Sequence, residues 1–304
     1  MPRPPKASSL PVVDPSGLDS LVLATDFSPG AEAAVRRAAL LPFVGKASIH
    51  LIHVLPSKFD RAADSLVRDV AQQHLDEARQ ALEASLVARN RSDIRVKARL
   101  IRGAAPEEIG RLSDQVEADL VVLGRRGTPV LRALLLGSVA QRVARQARVP
   151  VLVVAKAPRT PYRRVVVGFD LSDDALRVAS LAGRLAPGDA RVEAVYAYRE
   201  VLSGTPTPAS ARRAAAAELA ATRAKIERSL HAAIGGKGDW PVQMLRGDPR
   251  QVILEAADEQ KADLIAMGSM GRTGLRRQMI GSVAEGVLQL AKVDVLIAPR
   301  RDSR

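Results

Sequence analysis

Residues 124–138 read G-R-R-G-T-P-V-L-R-A-L-L-L-G-S, and residues 268–282 read G-S-M-G-R-T-G-L-R-R-Q-M-I-G-S. Both carry the pattern Gly-x2-Gly-x9-Gly-Ser, because Gly124, Gly127, Gly137 and Ser138 recur 144 residues later as Gly268, Gly271, Gly281 and Ser282. The repetition extends outward at the same offset. Thr25-Asp26-Phe27-Ser28 answers Phe169-Asp170-Leu171-Ser172, Arg102-Gly103 answers Arg246-Gly247, and A-D-L-V-V-L-G (118–124) answers A-D-L-I-A-M-G (262–268). V-P-V-L-V-V (149–154) likewise answers V-D-V-L-I-A (293–298). The chain is a duplication, and one argument about its chemistry serves both halves.

The boundaries follow from the matched stretches. They predict a disordered tail over 1–18, a first unit over 19–156, a linker at 157–162 and a second unit over 163–300. The connecting A-K-A-P-R-T-P-Y (155–162) has two prolines, which make it short and fairly stiff. A length of 304 residues suits two domains. The 47% hydrophobic content with 3% aromatics predicts two aliphatic cores. The absence of cysteine excludes disulfides, thiolate metal sites and thiol catalysis. Without a long apolar run or a secretory leader pattern, the chain reads as a soluble, cytoplasmic protein with no membrane partner.

Within each half, short apolar runs alternate with helical patterns, the sequence form of a parallel sheet covered by helices. In the first half the strands are expected at Ser20 to Ala24, Ala47 to Val54, Ile94 to Ile101, Asp119 to Leu123 and Pro150 to Val154, with helices near 29–42, 61–89, 105–117 and 137–147. The second half repeats that order, with strands near 164–169, 190–197, 241–246, 263–267 and 294–298 and a long Ala-rich helix over 209–233. The fold class is therefore α/β, two tandem Rossmann-like domains, each with a five-stranded parallel sheet flanked by helices. The last strands of the two halves would be apolar sheet edges, and pairing them with each other would cover both. That makes an intrachain pseudo-dimer, with homodimerisation through another face left open.

Such sheets bind ligands at the carboxyl ends of strands, where strand order reverses. Asp26 and Asp170 fall at the end of the first strand of each half, Gly124 and Gly268 at the end of the fourth, and Gly137-Ser138 and Gly281-Ser282 at the start of the last helix. Glycines let the backbone approach a phosphate, and the free N–H groups and positive end of a helix N-terminus hold its charge. Charge placement agrees. The net charge is +13, and residues 124–148 hold six arginines, among them Arg125 and Arg126, with no acid. The competing account of Arg142, Arg145 and Arg148 is the wet face of a helix.

The strand-end Asp, the Gly-x2-Gly-x9-Gly-Ser motif and the V-P-V-L-V-V last strand, found in order twice, resemble the universal stress protein family in its tandem, ATP-binding, adenine nucleotide alpha hydrolase-like branch. The resemblance covers nearly the whole chain. It implies ATP as the bound adenine nucleotide, with Asp26 and Asp170 beside the adenosine. It places Gly124, Gly127, Gly137, Ser138 and Val139 around one set of phosphates, and Gly268, Ser269, Gly271, Gly281, Ser282 and Val283 around the other, with Arg125, Arg126 and Arg272 as helpers. The small residue two before the Asp is Gly168 in the second half but Ala24 in the first, which predicts a weaker first pocket. Asp26 and Asp170 are also good helix N-caps, as are Ser28 and Ser172.

Several enzyme classes lack their residues. There is no Walker-type lysine, no Ser, His and acid set that recurs in both halves, and no H-x-G-H at His50-Leu-Ile-His53. A shared metal on His50 and His53 is disfavoured, since residues three apart on a strand face opposite ways. The leading reading is a nucleotide-holding regulatory protein with a protein partner. The alternative is a slow ATPase or phosphotransferase with Mg2+ held by an Asp and the phosphates. Nucleic-acid binding ranks last, because stacking aromatics are scarce.

Overall fold

In a computed structural model, residues 17–57, 64–125, 137–198, 209–235, 240–270 and 280–299 are described. The β-branched runs form strands, and the Ala- and Leu-rich stretches between them form helices. In the first half these are β1 (Leu18–Ala24), α1 (Pro29–Ala38), β2 (Phe43–Leu55), α2 (Asp64–Val87), β3 (Arg95–Arg102), α3 (Ala105–Gln115), β4 (Leu120–Gly124), α4 (Ser138–Gln146) and β5 (Val151–Val154). The second half gives β6 (Arg164–Gly168), α5 (Asp173–Leu185), β7 (Arg191–Tyr198), α6 (Ala209–Ala233), β8 (Val242–Arg246), α7 (Pro249–Glu259), β9 (Leu264–Gly268), α8 (Ser282–Leu290) and β10 (Asp294–Ala298). β1 starts one residue inside the expected tail, because Leu18 is fully buried and its N–H donates to the Pro42 carbonyl. The expectation of disorder over residues 1–16 lies outside the described residues.

All ten strands form one sheet in the order β3-β2-β1-β4-β5-β10-β9-β6-β7-β8. Pairing is parallel within each half and antiparallel only between β5 and β10. Leu152 and Leu296, equivalent residues of the duplication, sit directly opposite each other there, so a local twofold axis passes between them. Helices α1, α2, α5 and α6 bury one face of the sheet, through residues such as Ala34, Leu75, Val178 and Ile226. Helices α3, α4, α7 and α8 bury the other, through Ile109, Val143, Ile253 and Val287. Equivalent helices share a face, which sets the axis perpendicular to the sheet. Each fully buried aliphatic side chain in these layers contributes about 1.5–3 kcal/mol.

The halves are also joined by a buried charged cluster that the repeat does not reveal. Arg37 of α1 reaches Asp294 of β10, with Nε 2.9 Å from Oδ2, and its Nη1 donates to the Thr160 carbonyl at 3.0 Å. The guanidinium carbon lies 3.9 Å from the centre of the Tyr162 ring. The Tyr162 hydroxyl donates to Asp294 Oδ2 (2.8 Å), and the Ala155 N–H donates to Oδ1 (2.9 Å). Burial raises the Asp294 carboxyl above its ordinary value, and Arg37, the Ala155 N–H and the Tyr162 hydroxyl pull against that rise. The same burial, with the Asp294 charge, pushes the Tyr162 phenol well above 10. The stretch expected to be a connector is therefore docked at its end, with Tyr162 1% exposed. On the opposite face, the repeat-equivalent residues Gln141 and Glu285 meet near the axis at 2.7 Å, and Arg145 also pairs with Glu285.

Candidate functional site

Strand order reverses between β1 and β4 in the first half and between β6 and β9 in the second, so each half has a crevice at those carboxyl ends. The turn after β1 is built by its own polar side chains. Asp26 Oδ1 accepts from the Ser28 N–H (3.1 Å) and from the Ser28 hydroxyl (2.5 Å), and Ser28 Oγ accepts from the Ala31 N–H (3.3 Å), capping α1. Asp170 and Ser172 repeat this, with the corresponding distances 3.1, 2.5 and 3.1 Å. The serines are thus the helix caps. Each aspartate lies two residues beyond the strand and orients the cap, so the reading of Asp26 and Asp170 as N-caps is corrected. Among the described residues, the hydrogen bonds of Asp26 and of Asp170 all fall on Oδ1.

Between aspartate and serine the chain turns left-handed. Phe27 has φ +62° and Leu171 has φ +64°. A bulky residue there costs roughly 1–2 kcal/mol, and its presence in both halves means the Asp-to-Ser hydrogen bonds over-determine the turn. Phe27 is further held by a ring stack on His53, with centroids 4.3 Å apart. His53 Nδ1 lies 2.8 Å from the Thr25 carbonyl, and since a carbonyl only accepts, that nitrogen carries the proton. Sequence spacing had given His53 no role.

The glycine motif begins at the end of β4 and ends at the start of α4. The Arg125 N–H donates to the Val154 carbonyl (2.8 Å), and the Gly137 N–H returns to the Arg125 carbonyl (2.9 Å). The second half makes the same two bonds, Ser269 to Ala298 (2.8 Å) and Gly281 to Ser269 (2.6 Å). Both helix starts are thereby tied to the strand ends. Gly137 and Gly281 are the N-cap residues of α4 and α8, and neither helix has a side-chain cap, unlike α1, α5 and α7. The N–H groups of the first turn, which include Ser138 and Val139 or Ser282 and Val283, are left to satisfy from outside the helix. Arg126, Gly127, Gly271 and Arg272 lie outside the described residues.

These observations, a repeated α/β unit with the aspartate turn and tied helix start at each switch point, accompany a match of residues 18–155 and again of residues 161–299 to the Universal stress protein family. The chain belongs to the universal stress protein family. Among the similar proteins are a universal stress protein of Methanocaldococcus jannaschii, 35% identical over 46% of this chain and 83% of its own length, and one of Mycobacterium tuberculosis, 32% identical over 45% and 95%. The crystal structure of a universal stress protein from Archaeoglobus fulgidus matches at TM-score 0.67 and 20% identity, covering 93% of this chain and 99% of that one, which supports the tandem fold.

Within this universal stress protein fold, several expected site residues also make packing or hydrogen-bond contacts. A β-carbon at Gly124 would be driven into the backbone of Gly30 and would stand 2.7 Å from the Ala31 nitrogen, so the close approach of α1 to β4 requires this glycine. At Gly268 the equivalent neighbour, Asp174 Cβ, is 3.4 Å away. Gly168 leaves room for a side chain of the protein itself, since a β-carbon there would meet Ile253 Cδ1 at 2.9 Å. The space beside Gly168 is thus taken by Ile253 of α7, while Ala24 packs in the same core layer as Ile109 and Leu112 of α3. Arg125 also has a structural contact. Its guanidinium reaches the second half and donates to the Gln289 carbonyl in α8, which gives it a place in the junction between halves.

No group of three or more His, Asp or Glu gathers to hold a metal ion among the described residues, and none of their helices is long and apolar enough to cross a membrane. Two histidines near the first crevice give the fold a pH dependence. Burial lowers the His50 pKa below its ordinary 6.5, with Lys97 and Arg99 adding to the effect, and burial also lowers His53 against the opposing Thr25 carbonyl and Asp26. The unfolded chain therefore binds more protons just below pH 6.5. The stability these neutral imidazoles permit is full above 6.5 and is lost as pH falls through their depressed folded values. Urea midpoints should drop on acidification from pH 7 to 5, and His50→Gln should flatten the drop.

Proposed function

We propose that this universal stress protein holds ATP at the two crevices and uses its occupancy to change the glycine loops, acting as a nucleotide-dependent regulator of a protein partner. The observation that carries the reading is the pair of helix starts without a side-chain cap, Gly137-Ser138 and Gly281-Ser282, each tied to the end of the strand that neighbours the one leading to Asp26 or Asp170. The residues fit the group. First-turn N–H groups with the positive end of the helix suit a phosphate, and a carboxylate such as Asp26 or Asp170 suits a ribose hydroxyl. Gly127 and Gly271 with Arg126 and Arg272 complete the phosphate cradle in this reading, while Gly124 serves the fold and Arg125 the junction.

A bound nucleotide supplies only its charge and shape to this mechanism. The chain's own part is to order residues 124–138 and 268–282 around it. A ligand shifts such an equilibrium only by its preference for the ordered state. Hydrogen exchange at 124–138 and 268–282 should slow at millimolar ATP by about tenfold or more, and unchanged exchange in both loops would count against the reading.

A further inference from the structure

β3 ends one edge of the ten-stranded sheet, and its side chains divide by the two-residue period of a strand. Val96, Ala98 and Leu100 pack into the core on the α2 side. Arg95, Lys97 and Arg99 therefore line the opposite face, the first two exposed and the third half-buried. At about 3.3 Å per residue these cations repeat every ~6.6 Å along the edge. Among the described residues none of the three makes an ion pair or hydrogen bond, whereas Arg79, Arg91, Arg102 and Arg111 of the same half each sit on a carboxylate.

The sheet does not need this strip. Strand register pairs Val22 with His50 in the first half and Val166 with Glu193 in the second, so His50 and Glu193 occupy equivalent positions. One strand further out, His50 pairs with Lys97, while the place of Lys97 and Arg99 is taken by Pro241 and Gln243 in the second half. The other edge of the sheet, β8, thus carries no cation ladder, and Pro241 stands just before it, where a proline blunts an edge. Across the strand pair from Lys97, the buried His50 has a ring nitrogen with no hydrogen-bond partner among the described residues, so this neighbour supplies no negative charge to Lys97.

We propose that the β3 edge receives an acidic, extended segment of a partner protein as an added strand. Among the described residues β3 has no neighbour on its outer side, so its outward N–H and C=O groups can pair with a new strand. Every second side chain of that strand then stands beside Arg95, Lys97 and Arg99, where Asp or Glu fits and Lys or Arg is repelled. A second copy of β3 would set cations against cations, and β8, with Gln243 and Arg246, offers no acid. β3 carries no aromatic residue for stacking a base, which favours a peptide over a nucleic acid.

The test uses the full chain and a dye-labelled peptide alternating glutamate and valine, with a glutamine and valine peptide as control. By fluorescence anisotropy the acidic peptide should bind about tenfold or more tightly than the control, and Lys97→Glu with Arg99→Glu should remove that advantage while Gln243→Glu on β8 leaves it. The neutral pair Lys97→Gln with Arg99→Gln should weaken binding in the same direction, which separates lost charge from a folding defect. Bound peptide should slow amide exchange over residues 95–102. Equal binding of the two peptides, unchanged exchange at 95–102 with peptide bound, or tighter binding of a single-stranded oligonucleotide or phosphatidylserine vesicles through the same residues would overturn the proposal.

Discussion

Replacing Asp294 by Ala is expected to lower stability to urea by about 3–5 kcal/mol. The loss comes chiefly from what is left behind. Arg37 is 4% exposed and would keep a buried charge with only the Thr160 carbonyl and the face of Tyr162 for company. The Ala155 N–H and the Tyr162 hydroxyl would lose their acceptor as well. Removing both charges together should cost less, because a well-packed apolar pair avoids the desolvation of two ions. Arg37→Met with Asp294→Leu is therefore expected to be more stable than Asp294→Ala alone, and a double variant as unstable as the single one would contradict this assignment. Since the cluster joins α1, the connecting stretch and β10, Asp294→Ala should also uncouple the halves, seen as a broader unfolding transition.

The second large effect is expected at Gly124, and its partner in the repeat supplies the control. A methyl group at Gly124 runs into the backbone of Gly30, which can move only if α1 shifts as a whole. Gly124→Ala should cost about 3 kcal/mol, at the upper end for overpacking. Gly268→Ala meets Asp174 Cβ and the Met270 carbonyl, each at 3.4 Å, and should cost less than about 1 kcal/mol. If phosphate approach alone explained these glycines, the two substitutions would harm nucleotide retention equally and stability little. The packing account predicts that thermal or urea unfolding separates them clearly.

The fold was legible because duplication turned each weak signal into a pair. Runs such as Leu120–Gly124 and Leu264–Gly268 are short, yet their fixed offset placed the strands and the switch points. The aspartate turns were legible in position, since the strand end at Ala24 and the helix start at Pro29 were both expected, but which of Asp26 and Ser28 caps α1 depends on the side-chain geometry, in which Ser28 Oγ takes the Ala31 N–H and Asp26 holds Ser28. The junction cluster was not legible at all. Asp294 corresponds to Pro150 and Arg37 to Leu181, so comparing the halves gives no hint of it, and the partners are 257 residues apart. His50 and Glu193 show the limit of counting residues: a constant offset aligns His50 with Ala194, while the sheet register aligns it with Glu193. The cation strip on β3 escaped for a related reason. Charge counts drew attention to the arginines near the glycine motif, and only the sheet order shows that β3 is an edge.

The most direct test of the proposal that both halves hold ATP is to denature the purified full-length protein and identify any released nucleotide, with its ratio to chain. Two ATP per chain are expected, falling to one in Asp26→Ala or in Asp170→Ala, since each substitution removes the carboxylate from one crevice. Either change should also cost about 1 kcal/mol through the lost turn. Release of no nucleotide, together with no binding of added millimolar ATP, or retention of two in both variants, would contradict the account.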